Sequence, residues 1–126
     1  MRAPEPLRAL RLVAASDLLD ALTWPDGVAA LRFAADDMLA LDATTADLAD
    51  EPAIIEDEVG FVGWWLTLDE VRDQVIPHVD WPLRTARLAL AQGLVAGVPA
   101  KLWLTEDRAL LLCAAAYAHE LMDRLP

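Results

Sequence analysis

Leu88-Ala89-Leu90-Ala91-Gln92-Gly93-Leu94-Val95-Ala96-Gly97-Val98-Pro99-Ala100-Lys101-Leu102-Trp103-Leu104 is the stretch whose reading decides the fold. Two apolar runs, Leu88–Val95 and Val98–Leu104, flank Ala96-Gly97, which predicts two strands and a tight turn with a hairpin glycine. Beyond them Thr105–Arg108 is a polar reversal, and Ala109–Cys113 is apolar enough to lie at the centre of a sheet. Tyr117–Leu125 then reads as an amphipathic helix with Leu121, Met122 and Leu125 inward.

Towards the N-terminus, Thr67-Leu68-Asp69-Glu70 carries the S/T-x-x-E pattern, in which hydroxyl and carboxylate satisfy the free N–H groups of a helix start. The helix is expected to run to Ile76, where Pro77 ends it, with Leu68, Val71, Val75 and Ile76 on its core face. Ala53–Glu56 and Phe61–Leu66 read as strands around the turn Asp57–Gly60. Val28–Phe33 and Met38–Leu41 form a hairpin around Ala34–Asp37, with a Trp24–Gly27 turn before it and an Ala43–Pro52 connection after it. Leu7, Leu10, Val13, Ala14, Leu18, Leu19 and Leu22 recur near a 3.6 period, which predicts one helix or two short ones, Ser16-Asp17 capping the second. The expected class is α+β: a single domain with a largely antiparallel sheet and helices packed on one face. An N-terminal helical segment over 1–26 and an α+β domain over 27–126 would form one compact body.

A chain of 126 residues can bury roughly two-thirds of its unfolded surface, enough to fold without disulfide or metal. The lone Cys113 has no pairing partner, which points to a reducing, cytoplasmic compartment. The mean hydropathy of +0.31 is positive, yet the longest apolar run, Ala109–Ala118, is too short to span a bilayer. Residues 1–6 lead into no signal-peptide core. With 21 acids against 10 bases the net charge is −11, which disfavours nucleic acid and anionic membrane as partners and allows a basic protein. Solubility alone accounts for most acidic surfaces of this kind.

Reactive side chains are scarce: one serine (Ser16), one tyrosine (Tyr117), one lysine (Lys101), two histidines and no asparagine. Nucleophile, base and orienting group must meet within hydrogen-bond reach, so the sequence nominates no catalytic residue. His119-Glu120-Leu121-Met122-Asp123 lacks the second histidine of the H-E-x-x-H zinc motif, and no metal is expected there. His78 and Asp80, flanking a turn beside Trp81, form with His119 the candidate ligand site. Glu56, Asp57 and Glu58 are the residue types of an acid–base pair, but in a turn they face water. Trp64 and Trp65 alternate onto opposite faces of their strand, so one is exposed unless both faces are covered. With Trp103 they are the candidate interface anchors.

The segments Leu31–Leu41, Ile54–Glu58, Val79–Leu83, Leu90–Leu104 and Leu110–Leu121, with a strand leading into a capped helix between the second and third, resemble the gamma subunit of heterotetrameric sarcosine oxidase and the related domains of the glycine-cleavage T-protein group. The Ala91-Gln92…Ala96-Gly97-Val98-Pro99 stretch and the Tyr117-Ala118…Leu121 helix carry most of the likeness. Thr67-Leu68-Asp69 stands where that family has a Ser-Gly-Pro-like helix start, and Val79-Asp80-Trp81-Pro82 where it often has Cys-Pro. The resemblance implies a small noncatalytic accessory subunit that binds no cofactor itself. Its partners would be larger oxidoreductase subunits carrying FAD or FMN, NAD or folate. No catalytic residue of the family maps onto this chain. Two alternatives stay open: a stand-alone folate-like small-molecule binding domain, and an acidic module for a basic partner. A homo-oligomer also remains open.

Overall fold

A computed structural model describes residues 1–48, 51–82 and 88–126 of the chain. Two readings fall partly outside them: the Ala43–Pro52 connection at residues 49 and 50, and the resemblance stretch at Leu83. The strands are β1 (Glu5–Pro6), β2 (Ala9–Ala14), β3 (Ala29–Ala34), β4 (Asp37–Leu41), β5 (Ala53–Glu58), β6 (Phe61–Thr67), β7 (Ala89–Val95), β8 (Val98–Leu104) and β9 (Arg108–Ala114). The helices are α1 (Ser16–Ala21), α2 (Leu68–Glu70) and α3 (Ala118–Arg124). The fold is α+β with antiparallel pairing throughout, but in two sheets rather than one: β3-β4-β2-β5 and β1-β6-β9-β8-β7. Although β5 and β6 follow one another directly, β5 pairs with β2 and β6 with β9. No helix among the described residues is long and apolar enough to cross a membrane.

Contacts divide the chain into two units, residues 7–59 and residues 1–6 with 60–126. The boundary expected at 26/27 falls inside the first unit, between α1 and β3. Nor is 1–26 a helical segment, because Ala9–Ala14 is a strand. In β2, Leu10, Leu12 and Ala14 point into a core with Met38, Ala40 and Leu19, while Arg11 and Val13 alternate away from it. Leu, Arg and Ala favour a helix in isolation, but β2 lies between β4 and β5 and makes ladders on both sides, and that pairing overrides propensity. The helix begins only at Ser16, with Ala15 before it and no side-chain cap. The β3–β4 hairpin turns at Ala35-Asp36 as expected. Next to it, the Arg11 guanidinium holds Asp37 through two donors, one of them Nη2 to Oδ2 at 2.7 Å, and reaches Glu58 at 3.4 Å.

In the second unit, β9 is the middle strand and is buried from Ala109 to Cys113. Trp64, Leu66, Leu102, Leu104 and Leu111 are among the sheet residues that build one core. Val71 and Val75, in wider helical turns continuing α2 over Val71–Val75, pack on it with Leu121 and Leu125 from the α3 end. The β7–β8 turn places both Ala96 (φ 50) and Gly97 (φ 78) in the left-handed region, the geometry of a type I′ hairpin. Ala96 tolerates this with help: its N–H donates to the His78 carbonyl (2.8 Å), and its carbonyl accepts from Arg124 Nη1 (2.9 Å).

The capping box at α2 is complete. Thr67 Oγ1 accepts from the Glu70 N–H (3.1 Å), and Glu70 Oε1 accepts from the Thr67 N–H (3.0 Å). That backbone bond, aided by Arg2, holds the Glu70 carboxyl below its ordinary pKa. A depressed carboxylate pKa stabilises the fold above the unfolded value, and the contribution is lost as pH falls through the folded value. Thr67→Ala is therefore expected to cost about 1 kcal/mol at neutral pH. In urea unfolding, the difference between wild type and Glu70→Gln should shrink as the solution is taken from neutral into the acid range below an ordinary glutamate. A difference independent of pH would refute the box as an ionic device.

Candidate interaction surface

The three tryptophans nominated as anchors meet different fates. Trp64 is 1% exposed, and its indole N–H donates to the Arg2 carbonyl at 2.6 Å, so it belongs to the core and is corrected from the interface set. Trp65 is half-buried, and the Arg108 guanidinium lies 3.8 Å from its ring centroid, occupying one face of the indole. Trp103 is also half-buried. Both Trp65 and Trp103 stand across from Leu110 of β9, one from each side, so these two aromatics share one sheet face.

The histidine set does not form a joint site through polar contacts. His78 is half-buried and engaged through its backbone carbonyl, while Asp80 is exposed. His119 lies on α3, where Nε2 stands 3.3 Å from Asp123 one turn on. Among the described residues no hydrogen bond or ion pair joins His78, Asp80 and His119, and no three metal-ligating side chains converge.

Sequence reasoning missed a cleft of about 370 Å³ in the second unit. Phe61, Leu94, Pro99, Leu112 and Tyr117 line it, and Lys101 Nζ donates to Gln92 Oε1 (2.8 Å) at its polar side. Only strand register could have shown it, because Gln92 faces Lys101, and Lys101 faces Leu112, across two separate ladders. Cys113 also borders the cleft, but burial pushes its thiol up to about 11, which suits a packing residue rather than a nucleophile.

Among the described strands longer than two residues, β5 is the least covered. Asp57 and Glu58, expected in a turn, extend this strand. Ala53 to Asp57 are all exposed, Ile54 at 56% and Ile55 at 41%, and Val59 just beyond is 82% exposed. Glu58 is half-buried and paired with Arg11, whereas Glu56 and Asp57 face water without an ionic partner among the described residues. The strand lies at the outer edge of its sheet, so one side of its backbone has no ladder. Together these features make an open apolar edge with a strong negative charge. No family, curated protein or solved structure matches the chain.

Proposed function

We propose that the chain is a noncatalytic accessory subunit that docks onto larger subunits of a cytoplasmic, flavin-dependent amine-oxidising enzyme. The observation that carries docking is the β5 edge, where Ile54, Ile55 and Val59 stand in water beside an unpaired strand backbone. Isolated exposed side chains are ordinary, but an exposed edge strand bearing β-branched residues is a template for pairing with another chain. The resemblance to the sarcosine oxidase gamma subunit supplies the class of partner, with FAD or FMN, NAD and folate held in those partners. A docked subunit stabilises its partner by mass action, because it binds the folded form. The ligand-binding alternative has the cleft in its favour, yet none of His78, Asp80 and His119 lines it.

Recovery of the tagged chain from its native host at low and at moderate salt, with mass spectrometry and an absorbance scan of the eluate, tests the reading. A yellow complex with larger oxidoreductase chains is expected at both salts, since backbone hydrogen bonds and apolar contact are little screened. A colourless chain of monomer mass would overturn it.

A further inference from the structure

The four sheet edges are not equally open. At β7, Val79 bridges to Val95 and the Trp81 indole N–H donates to the Leu94 carbonyl at 3.0 Å, so the last residues of that edge are covered. The strand β1 is only two residues long. A register break between Arg32 and Ala34 interrupts β3, and a bulge twists an edge away from further pairing. By contrast, β5 keeps unbroken register with β2 over all six residues and carries no cover among the described residues. Among the described residues, charge alone guards it.

That charge also selects the occupant. Side chains alternate along a strand, so Ile54 and Glu56 share one face and Ile55 and Asp57 the other. Each face thus presents an isoleucine followed by an acid. A second copy of β5 brings acids and no cation: pairing in parallel register sets like charges across the ladder, which is destabilising, and centred antiparallel pairing sets each acid opposite an alanine or isoleucine, which leaves the acids uncompensated. An extended segment with two consecutive bases beside two consecutive apolar residues satisfies both faces at once. We propose that β5 accepts a lysine- or arginine-bearing segment of a partner protein as an added strand, the mode of β-augmentation. This rests on the docking reading and names the chemistry of the docked segment.

The full chain, labelled for amide NMR, would be titrated with a capped peptide of two lysines, two valines and two threonines in that order. Shifts and slowed hydrogen exchange concentrated at residues 53–58 are expected. Affinity should fall about tenfold for the Glu56→Lys/Asp57→Lys chain and by less for Glu56→Gln/Asp57→Asn, which tests charge without reversal. A peptide N-methylated at alternate residues on the pairing side should lose binding, because the methyl groups block the ladder. No response at residues 53–58, or equal binding of the methylated peptide, would overturn strand addition. The host recovery experiment repeated with both variants separates the two readings. Partner recovery undiminished by the substitutions would overturn β5 as the site and leave docking intact; no partner with any chain would overturn docking itself.

Discussion

Trp64→Ala is expected to destabilise the chain by about 3–5 kcal/mol, a large share of the roughly 5–15 kcal/mol that holds a domain together. The indole is 1% exposed among Leu66, Val71, Val75 and Leu111, and its truncation leaves a cavity that two packed helical segments and a sheet cannot close without moving. The Arg2 carbonyl also loses its 2.6 Å donor, which loosens the short pairing of β1 with β6. Trp65→Ala is the internal comparison: that ring is half-buried and gives up the stacking of Arg108, worth about 0.5–1 kcal/mol at such a site, together with part of its burial. Urea unfolding followed by far-UV circular dichroism, with slopes compared, reads both. Equal losses would contradict the assignment of Trp64 to the core and Trp65 to the opposite face.

These neighbours show what the sequence could carry. Alternation assigns Trp64 and Trp65 to opposite faces from spacing alone, but which face meets helices depends on where Val71, Val75 and Leu121 arrive. Local signals were legible: the Thr67 box, the Ala96-Gly97 turn and the Ala109–Cys113 run are written in adjacent residues, and each is found where expected. Pairing was not. The apolar positions of Leu7–Leu22 fit a helical period as well as the alternation of Leu10, Leu12 and Ala14, and only the ladders to Met38 and Ile55 choose between them. The division into two sheets was invisible for the same reason, since nothing in Asp57–Gly60 says that β5 and β6 go to different partners. Openness of the β5 edge belongs to strand order, so its acids could be read only as a solvated turn.

Gly93→Ala is expected to cost about 1–3 kcal/mol, although alanine in a strand is ordinarily the better residue. A Cβ at this position would lie 2.5 Å from Trp81 Nε1, 2.9 Å from Cε2 and 3.0 Å from Cδ1. The three atoms belong to one rigid ring, so no small torsion clears them. The indole must leave the strand, and its hydrogen bond to the Leu94 carbonyl goes with it. Gly93 lacks the positive φ of Gly27 and Gly97, so it is required here for close approach and not for backbone freedom. Tryptophan emission should shift to the red, and because Trp81 helps cover the β7 edge, the variant should self-associate more strongly than the wild type at the same concentration. The cause is isolated by a double-mutant cycle: in a Trp81→Leu chain, which carries no indole to displace, Gly93→Ala should become neutral or slightly stabilising. An equal penalty in both backgrounds would mean that strand β7, and not the tryptophan seated on it, demands the glycine.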